Sequence, residues 1–194
     1  MSKDLILEMD KVIAITTFEK EDIDKSIYYM TRYLNELEEK ILQNSDNKKY
    51  IEEKKECFVE FEKRLLHAAK TFFATEKWTD CIKCCRELIK INTKDTSVYK
   101  HASFAYRNIK EHDVALKLML LYAEKDPDDP LLKIYLGDAY SDLKTLDNAN
   151  KALEYYRSFA EENPKDISVL NCIGNLYSLV INDNVSKFDE QLEY

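Results

Sequence analysis

Glycine and proline are almost missing from this chain. Two glycines and three prolines in 194 residues leave little material for hairpins or tight strand turns, so long helices joined by short loops are the natural outcome. Cysteine is scarce and odd in number, five in all, with Cys81, Cys84 and Cys85 crowded together, which fits a paired disulfide framework poorly. A reducing cytoplasm is the expected setting. The N-terminus begins Met-Ser-Lys-Asp, and the apolar residues after it are broken by Glu8, Asp10 and Lys11, unlike a secretion signal. No apolar run approaches membrane-spanning length, so a membrane is not an expected partner. Positive charge is in deficit, and a net charge of −8 disfavours nucleic acid, whose phosphates need a cationic surface.

What is present is a repeat. The only two glycines, Gly137 and Gly174, lie 37 residues apart, and Pro127 and Pro164 share that separation. Four segments around these marks carry a large residue, a small pair and an aromatic at one helical spacing. They are Leu65-Ala68-Ala69-Phe72, Tyr99-Ala102-Ser103-Tyr106, Lys133-Leu136-Gly137-Tyr140 and Leu170-Ile173-Gly174-Tyr177. Second helices follow with a small residue, a larger one four later and a terminator: Cys81-Cys85-Thr93, Ala115-Met119-Pro127 and Ala152-Tyr156-Pro164. A fourth is expected near Phe188 and Gln191.

This pattern resembles the tetratricopeptide repeat, W-x2-L-G-x2-Y, then A-x3-F, then P, over 34 residues. The likeness covers residues 62–194 as repeats 62–95, 96–129, 130–166 and an incomplete 167–194. It implies an all-α, right-handed α-solenoid of helix hairpins. Lys133 and Thr93 depart from the signature at single positions. Three extra residues near Thr145 to Asn150 and about five in Val180 to Ser186 are expected to lengthen the turn between paired helices. Small side chains explain the pattern physically, because they let the paired helices approach closely. Trp78 fills the large position before Cys81, so core packing is expected of it.

Residues 1–61 lack the signature. Ile23, Ile27, Met30, Leu34, Leu37 and Ile41 form a heptad seam on a long helix. A polar turn follows at Gln43 to Asn47, and a second helix is expected from Lys48 unbroken to about Ala74. The two predict a long antiparallel helical hairpin that caps the solenoid, with a homodimer through these N-terminal helices as the alternative. Leu5, Met9 and Val12 predict one further short helix before it, with Thr16 or Thr17 as the next cap.

In the family's fold, the face opposite the small pair of each first helix lines a concave groove. In this chain that face presents Lys63, His67 and Lys70, then His101, Phe104 and Asn108, then Tyr135, Asp138 and Asp142, then Cys172 and Asn175. A cationic and aromatic stretch of Lys70, Lys100, His101, Phe104, Arg107 and Tyr135, with Asn171 and Asn175 beyond it, is the expected partner-binding surface. It suits a protein or an extended peptide with an apolar anchor and acidic neighbours. The lysine and asparagine clamp with which some family members hold chaperone C-termini is not matched, since Phe104 stands four residues after Lys100.

Catalysis has no visible basis: no Gly-rich phosphate loop, nucleophile elbow or His-Glu-x-x-His helix is present. No cofactor is expected. Cys81-x2-Cys84-Cys85 lacks two further ligands at zinc spacing, and Cys81 and Cys85 fall on core positions of the repeat, so no metal site is expected either. The leading expectation is a protein-interaction scaffold. Because the chain stops at Tyr194 within what would be a second helix, a longer protein is expected. One alternative is therefore the N-terminal region of a larger enzyme, such as a glycosyltransferase resembling O-GlcNAc transferase. Another is a self-assembling oligomeric scaffold.

Overall fold

The computed structural model describes residues 3–20, 22–43 and 48–178, with side chains from Ile6 onward. The described elements are all helices, joined by short turns, with no strand among the described residues. The order is α1 (Lys3–Glu19), α2 (Ile23–Gln43), α3 (Lys48–Ala74), α4 (Trp78–Lys90), α5 (Ser97–Asn108), α6 (His112–Lys125), α7 (Leu132–Ser141) and α8 (Leu146–Glu162), then helix again over 167–178. The second helix expected near Phe188 and Gln191, the insertion at Val180 to Ser186 and most of the polar turn after Gln43 lie outside the described residues. None of the described helices is long and apolar enough to cross a membrane.

The repeat has a backbone counterpart. Glu76, Lys110 and Lys144 all have positive φ, at intervals of 34 residues, and each stands just before the N-cap of a second helix, at Lys77, Glu111 and Thr145. A side-chain-bearing residue adopts this left-handed conformation only at some cost. Here it closes the preceding helix: Lys77 and Glu111 donate their N–H groups to the carbonyls of Phe72 and Tyr106, each at 2.9 Å, while Glu76 and Lys110 donate to Phe73 and Arg107. These paired bonds form the Schellman arrangement that satisfies terminal carbonyls. Thr145 then caps α8 by accepting the Asn148 N–H on its hydroxyl at 3.3 Å.

That constant turn register corrects the placement of the three extra residues. Eight residues separate the small residue from the N-cap in all three repeats, from Ala69 to Lys77, Ser103 to Glu111 and Gly137 to Thr145. The turn is not lengthened. Instead α8 has 17 residues where α6 has 14, so the insertion extends the second helix. Ala149 therefore matches Ala115 and Cys81. Ala152, buried as well, sits one turn further along the same face.

Two compact units result, residues 1–101 and 102–194. In the first, α1 pairs with α2 and α3 with α4, while α2 also packs on α3 and α4. α3 runs unbroken over the expected span, and position 61/62, where the repeat signature begins, lies inside it. The α1/α2 hairpin has the internal spacing of a repeat even though its sequence hides this. Buried Ser26 donates its hydroxyl to the Ala14 carbonyl at 2.7 Å, twelve residues away, just as buried Ser103 donates to the Ala115 carbonyl at 2.8 Å across α5 and α6.

The expected apolar face of α1 is also corrected. Leu7, Asp10 and Ala14 are buried, whereas Met9 and Val12 are 43% and 57% exposed. The buried Asp10 carboxylate is held by Arg32, whose Nε and Nη2 donate to it at 2.5 and 2.7 Å; a charge can enter a core only when paired in this way. Thr16 and Thr17 do not cap a helix. α1 continues to Glu19, their hydroxyls bond back to carbonyls of the preceding turn, and the start of α2 is capped by Asp22, which accepts the Lys25 N–H at 3.3 Å. On α2 the heptad residues Ile23, Met30 and Leu37 are buried together with Ser26 and Tyr33, leaving Ile27, Leu34 and Ile41 half-buried.

In the second unit, α7 packs against α6 and α8. Its core joins Ala149, Ala152, Leu153, Tyr156 and Phe159 of α8 to Val169 and Leu176 of the 167–178 helix.

Candidate partner-binding faces

Within the first unit, the inner face of α3 exposes Lys63, His67 and Lys70. They border a shallow, open groove of about 540 Å³ together with Glu62, with Val59 and Leu66 along its base and the α4/α5 connection, carrying Lys94 and Asp95, on its far side. Asp95 shapes that connection: its carboxylate accepts the Ser97 N–H at 3.0 Å and the Ser97 hydroxyl. Burial alone would push the Asp95 carboxyl up, but the Ser97 bonds and Lys70, whose Nζ lies 3.4 Å away, hold it below the usual aspartate range. Lys70 thus has one carboxylate beside it. Lys100 is half-buried.

His101 contributes a ring more than a charge. Its imidazole packs against Phe73 at 4.8 Å between centroids, and Phe73 in turn meets Trp78 edge-on at 5.7 Å. Burial is the largest influence on His101 and lowers its pKa, so the imidazole is neutral at pH 7.

Within the second unit, Phe104 and Tyr135 meet edge to face at 5.1 Å. The Arg107 guanidinium lies 5.8 Å from the Phe104 ring and is committed to two carboxylates of α7. Its Nε donates to Asp142 at 2.5 Å and its Nη1 to Asp138 at 3.1 Å. Burial opposes the Arg107 charge, but Asp142 and Asp138 outweigh it and raise its pKa. Asp138 accepts a further bond, at 2.6 Å, from the hydroxyl of buried Tyr156. His112 stands at the start of α6 with Nδ1 3.6 Å from the same Asp142 carboxylate. Asn171 and Asn175 are exposed on the 167–178 helix, four residues apart and so on one face.

The residues expected to bind a partner therefore divide between the units: Lys70, Lys100 and His101 in the first, Phe104, Arg107, Tyr135, Asn171 and Asn175 in the second. In the sequence, Asp138 and Asp142 fall on the groove-lining face and Arg107 on its flank, with nothing that pairs them. The available signal was opposite charge about one repeat length away. Sequence reasoning also left out Val59, Leu66 and Lys94, because Lys94 lies in a loop and the other two fall outside the signature.

Cys81, Cys84 and Cys85 are buried in α4. The Cys81 and Cys85 sulfurs lie 4.0 Å apart, as core positions one helical turn apart require.

No protein-family model matches the sequence, and no curated protein matches it. Solved structures do. A crystal structure of MamA protein superposes with a TM-score of 0.55 at 18% identity, covering 96% of this chain and 90% of that one. A second crystal structure of MamA gives 0.53 at 16% identity, over 90% and 97% of the two chains. The TPR2AB-domain:pHSP90 complex of yeast Sti1 gives 0.49 at 15% identity, over 88% and 70%. At these identities the likeness concerns the fold, and together with the 34-residue turn register it makes this an all-α fold of the tetratricopeptide-repeat type.

Proposed function

We propose that this chain is a protein-interaction scaffold that holds an acidic segment with an apolar anchor, and that the groove on α3 is its principal contact. One observation carries this reading: Lys63, Lys70, Lys94 and His67, with the carboxylates of Glu62 and Asp95 between them, ring a floor made by Val59 and Leu66, and of these lysines Lys70 is the one beside Asp95. Apolar floor and cationic rim are the two features needed to seat an apolar side chain and steer acidic flanks. Lys100 adds charge, and the neutral His101 ring adds a surface for packing. In the second unit, Phe104 and Tyr135 offer an aromatic platform, and Asn171 and Asn175 offer amide hydrogen bonds. Arg107 acts there by holding α5 to α7 more than by reaching a ligand, since both carboxylates already occupy it.

Titrating the chain with a labelled acidic peptide that carries one leucine tests the reading. Tight binding is expected at low salt, weakening as salt screens the lysines, and Lys63→Glu with Lys94→Glu should weaken it at least tenfold. Unchanged affinity in that double variant would remove the groove from consideration.

A further inference from the structure

We infer that the acidic segment is supplied by a second copy of this chain: the connection between α6 and α7, from Glu124 to Leu131, enters the α3 groove of a neighbour, and the contact repeats head to tail. The inference rests on reading the groove as an acceptor of acidic, apolar-anchored segments, and adds the identity of what it accepts.

Charge is divided unevenly along the chain. Nearly all of the net −8 falls within residues 102–194, while residues 1–101 are close to neutral and carry the cationic groove. The densest acidic stretch of the second unit reads Asp126-Pro127-Asp128-Asp129-Pro130-Leu131. Its two prolines fix φ and keep the segment out of a helix. Tyr122 fastens it from below, its hydroxyl proton shared between the carboxylates of Asp126, at 3.1 Å, and Asp129, and the Leu131 N–H donates to the Asp129 carboxylate at 2.9 Å. With Asp126 and Asp129 engaged in shaping the loop, Glu124, Asp128 and Leu131 stand at the surface, Leu131 being 42% exposed.

A loop held in one shape loses little entropy on docking. It presents one branched apolar side chain for Val59 and Leu66 and carboxylates for Lys63 and Lys94, the two groove lysines other than Lys70, which already has Asp95 beside it. Because groove and loop are different surfaces, the contact is heterologous, and each copy keeps one unused surface of each kind. Such contacts propagate into rings or open chains instead of stopping at a two-fold dimer.

Light scattering on the full chain over a range of concentrations is the test. The mass should climb past that of a dimer with concentration and fall back as salt is added. Lys63→Glu with Lys94→Glu disables the groove, and Asp128→Lys with Leu131→Ser disables the loop. All four positions are exposed or at the rim, so circular dichroism should show both variants folded. Each alone should be a monomer, and a mixture of the two should stop at a dimer, since one intact groove then meets one intact loop.

A wild-type monomer at every concentration overturns the inference. So does a wild-type assembly that neither variant disturbs, which would point to another surface such as the α2 seam. A labelled peptide of residues 121–132 separates this outcome from the groove reading. If an unrelated acidic peptide with one leucine binds the full chain and the 121–132 peptide does not, the groove reading stands and self-association falls. If neither binds, both fall.

Discussion

Gly137 lies directly under the ring of Tyr156. A Cβ on this glycine would sit 2.5 Å from Cε1 and 2.6 Å from Cδ1 of that ring, closer than any side chain tolerates. Tyr156 has nowhere to retreat, being buried among α8 core residues with its hydroxyl tied to Asp138. In this repeat the signature glycine is thus a packing requirement. Gly174 holds the equivalent signature position in the next repeat, yet a Cβ there would meet nothing within 4 Å.

The two glycines should respond in opposite directions to the same substitution. Gly137→Ala is expected to destabilise by about 1 to 3 kcal/mol, as overpacking does, partly offset by the better helix propensity of alanine. Gly174→Ala meets no such obstacle and should stabilise by about 0.5 to 1 kcal/mol, because it removes backbone freedom from the unfolded chain. Urea titration of both variants measures the difference. Equal effects would mean that Tyr156 moves aside.

Arg107 should behave as a stability residue. Its guanidinium bridges Asp138 and Asp142, so Arg107→Met leaves two carboxylates close together without their cation. A loss of about 1 to 3 kcal/mol is expected, below the range for fully buried pairs because the site is partly open to solvent. Asp142→Asn in the same chain should restore part of it by removing one of the repelling charges. A double-mutant cycle followed by thermal denaturation reads the coupling, and strictly additive effects would argue against the bridge.

Much of this fold is legible in the residue pattern, and the exceptions have physical reasons. The span of α3 and the buried small positions Ala69, Ser103, Gly137, Cys81 and Ala115 follow from helical periodicity, which packing obeys. The site of the α8 insertion does not, because both Ala149 and Ala152 satisfy the small position and only the backbone at Lys144 and Thr145 decides between them. The buried face of α1 escapes notice because Asp10 reads as a surface residue until Arg32, 22 positions away, is placed beside it. At the candidate site, residue types and helical faces are legible. The engagement of Arg107 is not, since its partners lie 31 and 35 residues ahead and spacing alone does not say that side chains meet.

The five thiols should separate into two classes. Cys81, Cys84 and Cys85 are buried, whereas Cys57 and Cys172 are half-buried. Burial pushes the Cys84 thiol up to about 12, and a bond to Cys81 together with burial raises Cys85 as well. Cys81 is lowered by that same bond, yet its sulfur has no access to solvent. Iodoacetamide at pH 8 should therefore label Cys57 and, more slowly because burial raises its thiol as well, Cys172 in the folded protein, and reach the α4 cysteines only after urea unfolds it. Mass spectrometry of the digested protein assigns the labels. Rapid labelling of Cys81 in native conditions would mean that α4 opens locally.

Stability should fall on the acid side through Glu53. Burial pushes this carboxyl up, but the Tyr33 hydroxyl, donating at 2.6 Å, and the Lys11 ammonium at 3.3 Å outweigh it and leave its pKa below the ordinary glutamate value. A carboxylate with a depressed folded pKa binds its proton more readily in the unfolded chain. Its contribution is thus complete above the ordinary value of about 4.3 and disappears as pH drops through the lower folded value. The stability advantage of the wild type over Glu53→Gln should be largest near pH 6 and shrink steadily below pH 4. Because Glu53 of α3 joins Lys11 of α1 to Tyr33 of α2, its protonation loosens three helices at once. Urea midpoints of both proteins from pH 6 to pH 3 measure this, and a constant gap across that range would show that the carboxylate keeps no preference for its charged form on folding.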